Sequence, residues 1–300
     1  MTAAQMLVFR EAPSVWSIYA KVMLARKPTL LPAGHALGRI AARLEPAQIE
    51  RSMLRKYHEL TGSAAGDALP IAFPHVLAGP LHLALLASER FPVRLLGLVH
   101  IRNRIRLLQP LNLNSIGSLQ VAIEGHVETP RGQEFTLTTE WLDERGEALW
   151  LEECVFLARR RQPRADSGTA NKAEVANAVQ SAELTGLRTT SFRAPAGLGR
   201  SYGLLSGDLN PIHLTDVSAK LFGFRSAIAH GMWTLARVAT DLDPAVLQAP
   251  CELAVAFKLP VFMPAWLVLE RWDESGATQF RLRDAAGEKT HLTGSLRRLT

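Results

Sequence analysis

Two short stretches of this chain occur twice, and the repetition constrains the fold more than any other feature. Arg55-Lys56-Tyr57-His58-Glu59-Leu60-Thr61-Gly62 agrees with Arg200-Ser201-Tyr202-Gly203-Leu204-Leu205-Ser206-Gly207 at the arginine, the tyrosine, the leucine, the hydroxyl and the glycine. Ala78-Gly79-Pro80-Leu81-His82-Leu83-Ala84 shares its glycine, second leucine and alanine with His230-Gly231-Met232-Trp233-Thr234-Leu235-Ala236. Repeated segments fold as repeated units, so the chain is an internal duplication of one architecture. Its 300 residues suffice for two compact halves. We place the first at 1–160, with a helical leader over 1–33. A linker rich in small and polar residues follows at 161–184, and the second half occupies 185–300.

Hydrophobic periodicity fills in each half. A first strand falls over 36–44, and apolar residues at helical spacing predict helices over 48–60 and 77–88. After Pro92 the period becomes two: Val99, Ile101, Ile105 and Leu107 fall on one face, His100, Arg102, Arg104 and Arg106 on the other. Strands follow over 118–127, 134–142 and 148–158, separated by turn sequences. The second half repeats the order: a strand over 187–194, irregular chain, a helix over 231–242 closed by Asp243-Pro244, and strands over 252–259, 266–273, 278–284 and 290–299. The fold class is α+β, with two antiparallel sheets each wrapped around a central helix and joined edge to edge.

The chemistry concentrates in Tyr202-Gly203-Leu204-Leu205-Ser206-Gly207-Asp208-Leu209-Asn210-Pro211-Ile212-His213. A short helix over 200–206 is ended by Gly207, which adopts positive φ readily. Asn210-Pro211 turns the chain, and a new helix begins near 213–216. A bend of this kind aims Asp208 and His213 at one point, where they can hold a water molecule as an acid/base pair.

The pattern aromatic then Ser-Gly-Asp-x-Asn-Pro-x-His resembles the signature of the MaoC-like dehydratase and hydratase 2 family, with every signature position filled. Ala229-His230-Gly231-Met232 and Phe257-Lys258-Leu259-Pro260-Val261 look like the same family. The resemblance implies a double hotdog fold and (R)-specific hydration of a trans-2-enoyl-CoA, or the reverse dehydration of a 3-hydroxyacyl thioester. It implies Asp208 and His213 as the catalytic pair, Asn210 orienting them, and the backbone N–H of Gly231 facing the thioester oxygen. Free N–H groups at a helix start suit a developing enolate. Tyr202, Arg225, Ser226 and His230 are expected at the substrate, His230 capping the central helix or lining the pocket. Where many members carry Gly-Asp after the Phe-x-x-Pro-Val strand, this chain has Met263-Pro264-Ala265.

Between its matched anchors the first half is seven residues shorter, and the missing piece is the counterpart of Asn210 to His213. Asp67 follows Gly66 there, but no Asn-Pro-x-His comes after it, and it is read as loop. The first half is therefore degenerate and assigned to acyl and CoA binding. In eukaryotic members of the family a half of this kind makes room for a longer acyl chain, and the resemblance implies the same here. Phe73, Leu77, Leu81 and Leu85 are candidate lining, equally readable as core.

Composition narrows the rest. A formal charge of +6 and a pI of about 9.7 favour anionic partners, and a phosphate-bearing substrate satisfies them. No nucleic-acid motif accompanies the charge. Cys154 and Cys251 lack metal or disulfide spacing. Asp208, His213 and His230 together would suit iron or zinc, yet no two lie at i, i+4; no metal or redox cofactor is expected, coenzyme A arriving on the substrate. The apolar run near Trp16 is interrupted by Lys21, Arg26 and Lys27, short of a membrane span. A cytoplasmic protein able to pair as a homodimer is expected, acting on acyl-CoA or acyl-carrier-protein thioesters. The alternatives are a 3-hydroxyacyl-carrier-protein dehydratase, a thioesterase, or a non-catalytic acyl-CoA-binding protein of the same fold.

Overall fold

The computed structural model describes residues 6–160, 186–248 and 250–299. In chain order the first half comprises β1 (Leu7–Phe9), α1 (Val15–Leu24), β2 (Ile40–Leu44), α2 (Arg51–Thr61), α3 (Phe73–Ala87), β3 (Leu98–Leu107), β4 (Ser118–Ile123), β5 (Val127–Thr129), β6 (Gly132–Leu142) and β7 (Ala148–Arg159). The second comprises β8 (Arg188–Ala194), α4 (Leu198–Ser206), α5 (Pro211–Leu214), α6 (Asp216–Leu221), α7 (Gly231–Ala239), α8 (Pro244–Leu247), β9 (Cys251–Phe257), β10 (Ala265–Glu274), β11 (Ala277–Asp284) and β12 (Thr290–Arg298). The linker assigned to 161–184 lies outside the described residues.

Among the described residues twelve strands form one sheet, in the order β1-β2-β4-β6-β7-β3-β9-β12-β11-β10-β8, with β5 added on β6. Apart from β1 the order is a palindrome. β2-β4-β6-β7-β3 answers β8-β10-β11-β12-β9, and the halves meet where β3 pairs antiparallel with β9, from Arg102↔Ala256 to Leu107↔Cys251. Pairing these two edges removes them from solvent, which is the favourable fate of a strand edge. Each half closes over its own helix, α3 or α7. Trp141, Trp150 and Trp233 are among the largest fully buried side chains. The Trp150 indole donates to the Ile71 carbonyl at 2.8 Å, and the Trp233 indole crosses between the halves to the Leu60 carbonyl, also at 2.8 Å.

Several elements differ from the sequence expectation. The leader is not helical throughout, since β1 pairs in parallel with β2. Asp243-Pro244 does not close the helix over 231–242: α7 ends at Ala239, and the Asp243 side chain accepts from the Ala245 N–H to start α8. A helix does begin within 213–216, since Thr215 opens α6 at Asp216 with a capping box; the unexpected element is the short α5, which Asn210 caps and which holds His213.

Two differences bear on the site. The register of β3 against β7 shifts between His100 and Arg102. Ile101 is thus a bulge, and the inserted residue flips the alternation ahead of it. His100 consequently leaves the outer face shared by Arg102, Arg104 and Arg106 and stacks on Phe156 at 4.8 Å. The other difference is in α3. The Gly79 that matches Gly231 lies within the helix, whereas Gly231 is the first residue of α7. The first half therefore does not leave a gap where it lacks the irregular segment. Helix from Phe73 onward occupies that stretch of chain, and Phe73, Leu77, Leu81 and Leu85 are core residues. A Cβ at Gly79 would overlap the Ser206 carbonyl oxygen, so this glycine sets the close approach of α3 to α4.

Candidate active site

The site grows from the end of α4. Gly207, at φ +78°, stops the helix, and Ser206 steadies the exit by donating to the Tyr202 carbonyl (2.9 Å) while accepting from the Asp208 N–H (3.3 Å). Asp208 follows. Asn210 contributes twice: its N–H donates to Asp208 Oδ1 at 3.1 Å, and its side chain accepts from Ile212 N–H at 3.4 Å. Pro211 occupies the first helical position, where its missing N–H costs nothing, and one short turn later comes His213. Strapped across it runs the chain ahead of α7. Ile228 N–H bonds the Ile212 carbonyl, Ala229 N–H the Val261 carbonyl, and Met263 N–H the Ala227 carbonyl. Three stretches that are separate in sequence thus meet at one place.

The hydrogen bonds fix the tautomers. His213 Nδ1 lies 2.8 Å from the Ile228 carbonyl; a carbonyl only accepts, so Nδ1 carries hydrogen and the neutral ring presents a bare Nε2. His230 Nε2 lies 3.0 Å from the Asp208 backbone carbonyl, which puts hydrogen on Nε2 and leaves Nδ1 bare, buried and without a partner. The two rings stack 3.7 Å apart, and Tyr202 packs on His230 at 5.2 Å. Asp208 Oδ2 stands 3.8 Å from Nε2 of each histidine. Both imidazoles are buried, while the Asp208 side chain is 46% exposed, so the carboxylate is where the site opens.

Burial works against charge on all three groups. For Asp208 it raises the pKa, but His230, His213, the Asn210 N–H and the Tyr19 hydroxyl outweigh it and hold the carboxyl below its usual range. For His213 burial dominates and lowers the pKa, against the pull of Asp208 and the Ile228 carbonyl. His230 is pushed down to about 3, by burial first and by His213 next. At neutral pH the set is one carboxylate and two neutral imidazoles.

Tyr19 is the residue that the sequence did not disclose. It comes from α1, and its hydroxyl donates to Asp208 Oδ1 at 3.1 Å. Burial, then the Asp208 charge, raises its pKa far beyond the ordinary phenol value, so it remains a donor. Ile18 and Val22 hold α1 down against Leu83 and Leu96. Oδ1 is therefore occupied by two donors, and Oδ2 is the oxygen left facing the imidazoles. No signal in the sequence connects position 19 with position 208; only the helical reading of the leader hinted that it packs on the body.

The other expected residues are placed as follows. Gly231 heads α7, where its N–H has no acceptor within the helix, and the Phe257 ring packs directly over it. His230 occupies the cap position of α7 without capping it through its side chain. Arg225 is exposed, its guanidinium 4.2 Å above the Phe262 ring, and Ser226 is half-buried beside it. Asp208, His213 and His230 form a donor set of the size that holds a divalent ion, and His75, His82 and Cys154 in the first half form another.

Known proteins resemble this chain over most of its length. Residues 185–294 match the MaoC like domain family. The chain is 30% identical over 261 residues to 3-hydroxyacyl-thioester dehydratase X of Mycobacterium tuberculosis, covering 85% of this chain and 88% of that protein. It superposes on the crystal structure of HtdX from the same organism with a TM-score of 0.71 at 27% identity, over 86% of this chain and all of that one. A MaoC-like dehydratase from Phytophthora capsici shares the fold, with a TM-score of 0.61 at 18% identity over 88% of this chain and 95% of that one. Among the described residues no helix is long and apolar enough to cross a membrane. Duplicated sheet, signature segment and a relative similar along both halves lead to one assignment: the chain belongs to the MaoC-like dehydratase family of hydro-lyases.

Proposed function

We infer that the protein adds water to a trans-2-enoyl thioester of coenzyme A to give the (R)-3-hydroxyacyl thioester, or runs the reverse dehydration, with Asp208 and His213 as the acid/base pair. The observation that carries this reading is the 3.8 Å separation of Asp208 Oδ2 and His213 Nε2. That is too long for a direct hydrogen bond, yet one water can donate to both at about 2.8 Å each. Both are acceptors, so such a water gives away both hydrogens and turns its lone pairs outward, toward C3. As oxygen bonds to C3, one water proton passes to the pair and the electrons of the double bond move onto the thioester oxygen. The N–H of Gly231, at the positive end of α7, donates to that oxygen. Collapse of the enolate takes the proton from the pair onto C2, and atoms and charge balance. The (R) configuration rests on the likeness of the motif, and the first half serves acyl and CoA binding.

Loss of enoyl absorbance when purified protein is added to crotonyl-CoA tests the reading. Measurable hydration, repeated with a carrier-protein thioester to compare carriers, supports it; no turnover of either thioester refutes it.

Tyr19 acts in this reading as a positioning residue that keeps Oδ2 turned to the water. Tyr19→Phe removes one hydrogen bond to the charged carboxyl, so kcat/KM at neutral pH is expected to fall about three- to tenfold. The sign of the pH effect follows from the same bond. Losing a donor to the ionised form raises the Asp208 pKa, so the acid limb of the kcat/KM profile moves to higher pH. An unmoved acid limb would show that Tyr19 only packs.

A further inference from the structure

The interior of the first half holds a polar cluster that the hydration chemistry does not use. Glu152, on the inner face of β7, has no exposed side-chain surface. Its carboxylate accepts from Asn103 Nδ2 at 2.7 Å and faces His75 Nδ1 at 2.9 and 3.0 Å. Asn103 Nδ2 also reaches Cys154 Sγ at 3.3 Å, and His82 bonds the Thr139 hydroxyl at 2.8 Å. His75 sits on the part of α3 that replaces the missing segment, 5.1 Å from His82 and 6.3 Å from His100, ring to ring. These groups lie inside the first half.

The cluster adjoins the reaction centre. His100, turned inward by the bulge at Ile101, lies 5.0 Å from Phe257, and Phe257 packs on Gly231. Ring contacts therefore run from the start of α7 through Phe257 and His100 to His75. In the reading above the coenzyme stays at the open side, beside Asp208, and the far end of the acyl chain is the part directed to the first half.

Three buried atoms in this region lack a partner: His230 Nδ1, His100 Nε2 and Asn103 Oδ1. Asn103 Oδ1 and His230 Nδ1 are acceptors, and His100 Nε2 is donor or acceptor according to its tautomer. His230 spends its hydrogen on the Asp208 carbonyl. Burial, the largest influence on His100, holds its ring down to about 4 and hence neutral, so one ring nitrogen carries hydrogen and the other is bare. Asn103 must turn its NH2 to the Glu152 carboxylate, which leaves its oxygen pointing away. A saturated hydrocarbon chain laid here would leave all three unmet, and an unmet buried polar group costs more than a bond never provided for.

We propose that the acyl chain this site selects carries a hydroxyl group beyond C3, bound in the first half by donating to Asn103 Oδ1 and accepting from His100 Nε2–H, beside the Glu152–His75 pair. This deepens the hydratase reading and rests on it for where the thioester lies. The test is made separable by using saturated acyl-CoA thioesters, which cannot be hydrated. Calorimetric binding is measured for a series of increasing chain length, each parent beside its counterpart with a terminal hydroxyl. At the length that reaches His100 the hydroxylated thioester is expected to bind about tenfold more tightly than its parent. Asn103→Leu, and independently His100→Phe, are expected to erase that preference. Parents that bind as tightly as their hydroxylated counterparts at every length overturn the proposal, as does a preference that survives in both variants. Failure to hydrate crotonyl-CoA would instead count against the reaction assigned above, since these affinities do not depend on turnover.

Discussion

Asp208→Asn or His213→Ala is expected to lower turnover of crotonyl-CoA by about two to four powers of ten, the usual worth of a positioned acid or base. The asparagine keeps an oxygen for Tyr19 and for the Asn210 N–H, so the bend survives. Its NH2 then takes the place of Oδ2 and donates toward His213 Nε2, which was the free acceptor. A water between them loses both of its anchors. Asp208 is nearly half exposed, so stability should barely change. His213→Ala differs in that it also leaves the buried Ile228 carbonyl without its donor, at a cost of about 1–3 kcal/mol. Steady-state rates read beside circular dichroism and a thermal melt separate the two effects. Near-normal hydration by either folded variant would sink the assignment of the pair.

Gly199→Ala should be nearly as damaging, though residue 199 touches no substrate. In α4 it faces the backbone of α5, and an added methyl would overlap the His213 carbonyl oxygen and stand 2.9 Å from Met263 Cε. The methionine tip can move aside. The carbonyl cannot, so α5 must shift, taking His213 with it. Overpacking of this kind costs about 1–3 kcal/mol, and a displacement of about 1 Å at a reacting group lowers turnover on the order of a hundredfold. Gly197→Ala is the control, two residues away with no heavy atom near its missing Cβ; at a helix cap it should cost no more than about 1 kcal/mol. Equal activity for the two variants would show that α4 does not hold α5 in place.

The duplication was readable because its anchors are small or aromatic residues at close contacts. Gly62 and Gly207 end α2 and α4 at φ +74° and +78°, and Tyr57 and Tyr202 are both fully buried. Strand positions followed from alternation, usually to within a residue or two. The signature carried the bend at Asp208 because each position in it answers a local need: Gly207 for positive φ, Asn210 for a cap, Pro211 for a first turn. What escaped was non-local or depended on a single inserted residue. Period-two reading cannot detect the bulge at Ile101 and puts His100 on the face of Arg102, Arg104 and Arg106. Tyr19 and Asp208 are 189 residues apart in sequence. The early start of α3 was hidden because Phe73-Pro74 suits the opening of a helix as well as a loop, and only packing decides. Arg102, Arg104 and Arg106 were read as an outer face, and they meet Glu134, Glu153 and Glu252 there.

The palindromic sheet has a consequence for how the site comes into being. In a pair of separate hotdog chains the central strand contact must be made by collision, and its occupancy falls on dilution. Here β3 and β9 belong to one polypeptide, so their meeting is intramolecular and their effective concentration is fixed by chain connectivity. The seam is therefore held at any protein concentration, and the two sides of it need not remain alike. One side keeps the bend that bears Asp208 and His213. The other, released from duplicating that chemistry, has filled the equivalent space with helix, histidines and a carboxylate. On the reading proposed above each polypeptide carries one such centre, and titration with an acyl thioester should saturate at one equivalent per chain.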